Sequence, residues 1–366
     1  MKRRQNLTFA VIMTACFALL GCNEESANNT DSVATPKPQT FNWKMVTAWP
    51  KNYPALGTSA ERVAERINSM SAGRLTIKVY AGGELVPPLE VFDAVSRGTA
   101  QMGHGAAYYW KGKTDTAQFF TSVPFGLSAI EMNAWLHKGG GLQLWQEAYA
   151  PFGVKPFAIG NSGMQMGGWF NKEIHSLDDL KGLKIRMPGL GGEVLNRLGT
   201  TTVNLPGSEV FTALQTNAID ASDWVSPYND LAFGLHKAAK YYYYPGWQEP
   251  QAVLELIINQ AAWDSLPADL QAIVTEAIRA GNADMLDDFT WNNARALSEL
   301  KQADVQLRRF PDEVLQAMKQ ESALVLNDLA SKSDLNQRIW DSMQAFQQQV
   351  TQMHKISEKE LYNWRD

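Results

Sequence analysis

Two segments bracket the part of the chain that decides the fold: Leu183-Lys184-Ile185-Arg186-Met187-Pro188-Gly189 and Ile219-Asp220-Ala221-Ser222-Asp223-Trp224-Val225-Ser226-Pro227. In the first, Leu183, Ile185 and Met187 alternate with Lys184 and Arg186, the period-2 signature of a strand, and Pro188-Gly189 stops it. Between the two segments the pattern predicts a helix over 193–198 closed by Gly199, a strand over 202–205 and a helix over 208–216. A strand over 219–224 then completes a βαβαβ unit, the building block of a parallel sheet.

Upstream, the pattern predicts strands over 41–49, 75–80, 101–106 and 154–159. Helices are expected over 60–70, from Pro87-Pro88 through Val95, and over 129–149, the last interrupted by Gly139-Gly140-Gly141. Downstream lie the aromatic run Tyr241–Tyr244, a strand over 253–259 and a largely helical remainder over 261–364 with one more strand over 305–310. The class is α/β with mostly parallel strands, and 366 residues suffice for roughly two domains at about 150 residues each. No internal repeat interrupts this order.

Composition removes several function classes. Net charge is −5 and no segment gathers basic residues, so nucleic acid is not an expected partner. Cys16 and Cys22 are the two cysteines, which leaves no later thiol for a zinc cluster, an iron–sulfur centre or a nucleophile. Lys2, Arg3 and Arg4 precede an apolar run from Leu7 to Leu20 of signal-peptide length, so export is expected and the mature chain is more acidic than the precursor. Leu19-Leu20-Gly21-Cys22 resembles a bacterial lipobox, which implies lipidation of Cys22. Residues 23–40 are polar and proline-containing, the composition of a tether.

Catalytic motifs fail individually. Gly160-Asn161-Ser162-Gly163-Met164 lacks the final glycine of a nucleophile elbow, and Ser298-Glu299-Leu300-Lys301 lacks its companion triplets. Gly189-Leu190-Gly191-Gly192-Glu193-Val194 has Val at the third glycine of a dinucleotide fingerprint, and the five histidines form no HExxH. What remains is binding chemistry. Arg186 ends a parallel strand, where open α/β sheets hold ligands and where a guanidinium grips a carboxylate with two prongs; a surface ion pair is the plainer use. Asp223 and Trp224 arrive at the next strand end, where Asp223 either meets a cation or caps the helix after Ser226. Asn161 to Phe170 mixes small, amide and aromatic residues, suited to a chain crossing beneath a ligand or to a simple polar loop.

Over about 41–340 the chain resembles the solute-binding proteins of tripartite ATP-independent periplasmic (TRAP) transporters. The carriers are Ala81-Gly82-Gly83-Glu84-Leu85-Val86-Pro87, Tyr108-Tyr109-Trp110-Lys111-Gly112-Lys113, Val123-Pro124-Phe125-Gly126-Leu127, Gln165-Met166-Gly167-Gly168-Trp169-Phe170, Gly182-Leu183-Lys184-Ile185-Arg186, Ala218-Ile219-Asp220-Ala221-Ser222-Asp223-Trp224 and Tyr243-Tyr244-Pro245-Gly246-Trp247. The QMGGWF and YYPGW segments resemble the subgroup for 2-oxo and 2-hydroxy monocarboxylates.

The resemblance implies a two-domain, periplasmic-binding-protein-like (type II-like) fold with a ligand cleft between the domains and a helical C-terminal region. Ahead of it, the N-terminal segment is expected to be a lipoprotein signal over 1–21 and a lipidated tether over 22–40. Domain I comprises 41–163 plus about 252–300, domain II comprises 164–251 plus about 301–330, and C-terminal helices occupy 331–366. It implies Arg186 as carboxylate clamp and Gln165, Asp223 and Trp224 as ligand and cation contacts. Tyr108, Tyr109, Asn161 and Trp247 join the pocket, and Gln248 is a further cation ligand. The cation is Na+ or Ca2+. Implied partners are a small monocarboxylate and the membrane permease; the lipobox-like segment adds a lipid-held membrane contact, and a homodimer through the C-terminal helices is a separate expectation. A periplasmic, lipid-anchored location departs from the soluble form usual in the family. A hydrolase or lyase of small acids, or a sensory receptor for the same solute, are the alternatives.

Overall fold

The computed structural model describes residues 39–365, so the signal segment and Cys22 lie outside the described residues. Eleven strands occur among the described residues: β1 (Phe41–Thr47), β2 (Leu75–Tyr80), β3 (Met102–Gly105), β4 (Val154–Asn161), β5 (Gly168–Phe170), β6 (Lys184–Arg186), β7 (Thr201–Val203), β8 (Ala221–Ser222), β9 (Tyr241–Tyr244), β10 (Val253–Asn259) and β11 (Gln306–Arg309). They form a five-stranded sheet ordered β2-β1-β3-β10-β4 and a six-stranded sheet ordered β11-β9-β5-β8-β6-β7.

In the first sheet β1 runs parallel to β2 and β3, and the helix Leu56–Met70 covers it. Leu56, Ala60, Val63, Ala64 and Ile67 form one buried stripe on that helix, at the spacing of a single helical face. The helix starts ahead of the expected position because Leu56 is itself buried. The long segment expected over 129–149 divides into helices Ala129–Lys138 and Gly141–Tyr149, with Gly140 between them at φ 87°, a conformation that glycine adopts without a Cβ penalty.

The βαβαβ unit is present, with β6 lying between β7 and β8 and parallel to both. Two of its boundaries differ from expectation. The first helix begins at Gly189 rather than at Glu193, since Gly189 to Gly192 lie close to their neighbours. A Cβ on Gly192 would stand 2.3 Å from the Met187 carbonyl, so packing overrides the poor helix propensity of glycine. The strand expected over 219–224 shortens to Ala221–Ser222. Val225 leaves the ladder, its N–H donating to Asp230 Oδ1 at 3.2 Å and its carbonyl accepting from Met166 N–H at 3.0 Å.

The expectation of mostly parallel strands holds in the βαβ portions and gives way where the chain passes between sheets. β10 pairs antiparallel with β3 and β4, and β5 pairs antiparallel with β8 and β9, so both sheets are mixed. The connections β4 to β5 and β9 to β10 each leave one sheet and enter the other. Residue periodicity reports which face of a strand is buried but not the direction of its neighbour.

Helix Ala268–Gln302, about 50 Å long at 1.5 Å per residue, packs on β4, on helix Leu56–Met70 and on helix Pro227–Ala232. Helix Asp312–Ala330 packs on helix Gly189–Arg197, whereas helix Asp334–Ile356 packs on the pair Ala129–Lys138 and Gly141–Tyr149. Arg338 pairs with Glu147 at 2.7 Å, and Trp135 Nε1 donates to Ser342 Oγ at 3.1 Å. No helix among the described residues is long and apolar enough to cross a membrane.

Candidate functional site

Arg186 ends β6 with its side chain only 1% exposed, too deep for the surface ion pair that its type would suggest. Its Nη1 donates to the Asp223 carbonyl at 3.0 Å and approaches Asp223 Oδ2 at 3.5 Å. Nε donates to the Leu205 carbonyl at 3.3 Å, and Nη2 to the Tyr109 hydroxyl at 3.3 Å. The Trp224 ring lies 5.1 Å from the guanidinium carbon. With the fork engaged on several sides, a two-pronged grip on an incoming carboxylate requires Tyr109 or Asp223 to give way.

Three chain segments converge on this point through backbone bonds. Gln165, Met166 and Gly167 donate their N–H groups to the carbonyls of Glu249, Val225 and Tyr243, at 3.2, 3.0 and 2.7 Å. The crossing segment is thereby stitched to the ends of β8 and β9. The turn after β9 fits only because Gly246 has no side chain: a Cβ there would lie 2.2 Å from the Gln165 carbonyl oxygen. This turn returns Gln248 and Glu249 beneath Asp223. Gln248 Nε2 donates to Asp223 Oδ1 at 2.9 Å and to the Met166 carbonyl at 2.8 Å.

The electrostatics follow from burial. Desolvation pushes the Asp223 carboxyl up to about 7, with Arg186 and the Gln248 amide pulling the other way. Desolvation also raises Glu249 well above the ordinary carboxylate range, and the Asp223 charge raises it further. Burial opposes the charge on Arg186, but Tyr109, Tyr108, Asp223 and Glu249 outweigh it, so its pKa rises. Three oxygens here are buried without a hydrogen-bond partner: Gln165 Oε1, Gln248 Oε1 and Glu249 Oε2. Unmet acceptors beside two carboxylates fit a hard, oxygen-seeking cation such as Na+ or Ca2+. Among the described residues no cluster of three or more His, Cys, Asp or Glu side chains is arranged for a metal.

Of the residues expected from sequence, Arg186, Asp223, Trp224, Tyr109 and Gln248 are in direct contact. Tyr108 is buried with its ring 5.0 Å from that of Tyr109. Gln165 donates to Ser162 Oγ at 3.2 Å and adjoins Glu249. Trp247 is buried against Phe125, with ring centroids 5.8 Å apart. Asn161 is occupied elsewhere, donating to Gln251 Oε1 at 2.7 Å and accepting from Gly163 N–H at 2.9 Å, as a brace of the crossing segment. Asp223 does not cap the helix after Ser226; Asp230 takes the nearby Val225 N–H, together with Trp169 Nε1 at 2.9 Å and Tyr242 Oη at 2.6 Å.

Two contributors were missed. Glu249 follows Trp247-Gln248 and looks like a polar loop residue, and only the Gly246 turn buries it. Tyr53, from the β1 side of the molecule, accepts from Trp224 Nε1 at 2.7 Å and donates to the Asn229 carbonyl at 3.0 Å, while Asn229 Nδ2 donates to the Pro54 carbonyl at 2.9 Å. These bonds clasp the first-sheet side to the second beside the Trp224 wall.

The model of the bacterial extracellular solute-binding protein, family 7, matches residues 45–333. The chain belongs to that family. Within family 7 it is 44% identical over 366 residues to the monocarboxylate 2-oxoacid-binding periplasmic protein of Nostoc sp., covering 100% of this chain and 99% of that one. Among solved structures it is similar to a TRAP periplasmic solute-binding protein of Pseudoalteromonas atlantica T6c with bound sodium and pyruvate. That match has 42% identity, covers 90% of this chain and 100% of the other, and gives a TM-score of 0.88. A Colwellia psychrerythraea counterpart with bound calcium and pyruvate matches at 42% identity over 89% of this chain and 99% of the other, TM-score 0.87. Family 7 membership makes the chain an extracytoplasmic solute-binding protein rather than an enzyme.

Proposed function

We propose that this chain is the receptor of a TRAP-type secondary transporter, capturing a small 2-oxo or 2-hydroxy monocarboxylate together with a cation and presenting it to the membrane permease. The observation that carries the reading is the convergence of buried Arg186 with Asp223 and three unpartnered oxygens where the two sheets meet. A small acid entering such a site loses its hydration, and Arg186 with a cation replaces it. Gln165, Asp223, Gln248 and Glu249, with the Trp224 backbone, would hold the cation, which supplies positive charge for the carboxylate and the 2-oxo oxygen. Tyr108, Tyr109 and the Trp224 and Trp247 rings wall the space against water and larger solutes. Residues 41–163 with about 252–300, and 164–251 with about 301–330, act as two lobes that close by hinge motion over the solute.

Calorimetry with pyruvate, 2-oxobutyrate, lactate, propionate and succinate tests the reading. Binding of the first three and rejection of the last two is the expected pattern; a preference for succinate, or no binding of any monocarboxylate, overturns it. The finer partners are proposed as well. Cys22 carries a lipid anchor, so Cys22→Ser moves the protein from the membrane to the soluble fraction. A homodimer forms through the C-terminal helices, supported by the exposed apolar side chains of Met353, Ile356, Leu361, Tyr362 and Trp364. Light scattering of the chain ended after residue 350 then reports a monomer.

A further inference from the structure

A cavity of about 220 Å3 opens between helix Ala129–Lys138, the start of helix Gly141–Tyr149, strand β4 and helix Ala268–Gln302, and none of the residues around Arg186 lines it. Buried Leu136, Phe157 and Ile278, with half-buried Leu142, make its apolar lining, while His137 and Arg279 supply a polar side. The local sequence keeps this space open. A Cβ on Gly139 or Gly141 would stand 2.9 or 2.6 Å from the Trp135 ring, so the junction of the two helices packs on Trp135 and leaves the neighbouring volume unfilled. One turn from both Arg279 and His137, Asn282 Nδ2 donates to Asn133 Oδ1 at 2.9 Å, a bond that ties the two helices and holds the polar walls at a set separation. Charge then defines the occupant. Among the described residues Arg279 enters no ion pair. Burial, followed by the Arg279 and Lys138 charges, lowers the His137 pKa and leaves a neutral imidazole that can donate a hydrogen bond. Against these two cations the lining offers one exposed acid, Glu276, so the mouth favours an anion. A cavity of about 150 Å3 admits benzene, and the larger one here admits a six-membered ring with one short substituent. We infer that the chain carries a second ligand site, which seats a small aromatic carboxylate with its ring against Leu136, Phe157 and Ile278 and its carboxylate on Arg279 and His137.

The test titrates the full mature chain with 4-fluorobenzoate, followed by fluorine NMR, with pyruvate present at saturation to keep the first site filled. The expected result is saturable binding of one 4-fluorobenzoate per chain, with neutral 4-fluorobenzyl alcohol about tenfold weaker. Arg279→Gln, at an exposed helix position, weakens 4-fluorobenzoate about tenfold and leaves pyruvate affinity within about twofold. Leu142→Trp fills the cavity and abolishes binding of the aromatic acid. No saturable binding to the pyruvate-loaded chain, equal affinity for the acid and the alcohol, or a 4-fluorobenzoate affinity that Arg279→Gln leaves unchanged overturns the inference. If Leu142→Trp does not fold, Arg279→Gln decides. Should pyruvate itself fail to bind, the monocarboxylate reading fails by itself, and the response of 4-fluorobenzoate to Arg279→Gln still decides whether this cavity is a site.

Discussion

Arg186 keeps its charge in a buried position because carbonyls of Leu205 and Asp223, the Asp223 carboxylate and the Tyr109 hydroxyl surround its fork. Lys offers one compact charge and cannot reach several directions at once. Arg186→Lys is therefore expected to weaken monocarboxylate binding about tenfold or more, read by calorimetry; unchanged affinity would remove Arg186 as the clamp. The placement of Arg186 was legible because a strand alternation ending in Pro188-Gly189 puts a side chain at the sheet's carboxyl edge. Glu249 was not legible in the same way. Its burial depends on the turn at Gly246 approaching the Gln165 backbone, and no periodicity in Trp247-Gln248-Glu249 announces that approach.

At the scale of elements, the crossing segment 161–167 and the turn after β9 stand or fall together. Gly246→Ala drives a Cβ into the Gln165 carbonyl, and backbone cannot swing aside as a side chain can. A loss of about 1–3 kcal/mol in unfolding free energy is expected, accompanied by weaker ligand binding; denaturant melts with normal stability would show that the turn has slack. The Tyr53 clasp makes a different prediction. Tyr53→Phe removes the acceptor for Trp224 Nε1 and the donor to the Asn229 carbonyl, contacts that join the chain just after β1 to the segments after β8. Solute release should quicken about five- to tenfold while association changes little, a split that stopped-flow fluorescence resolves. The βαβαβ unit was legible from alternation and helical spacing. The antiparallel insertion of β5 and β10 was not, since pairing direction is settled by where a crossing chain enters a sheet.

Across the whole molecule, buried carboxyls away from the ligand set how stability responds to pH. Burial raises Glu255 from its ordinary 4.5 to about 8, opposed by hydrogen bonds from Trp110 and from Tyr149. The folded chain holds this proton where the unfolded chain has released it, so the contribution of Glu255 is full below about 4.5 and is lost as pH rises through about 8. His104 acts oppositely. Burial lowers it from 6.5 to about 4, so the neutral ring disfavours the fold only on the acid side, as pH falls from 6.5 towards 4. Melting temperatures from pH 5 to pH 8 should fall more steeply for the unaltered chain than for Glu255→Gln, and parallel curves would place the proton elsewhere.

The unpartnered oxygens of Gln165, Gln248 and Glu249 have a bearing on traffic at the membrane. Enclosing each of them without a donor or an ion costs about 1–3 kcal/mol, so a vacant receptor is discouraged from adopting the shut shape that a loaded one reaches. On the proposed closure of two lobes, vacant copies would compete less with loaded ones for the permease.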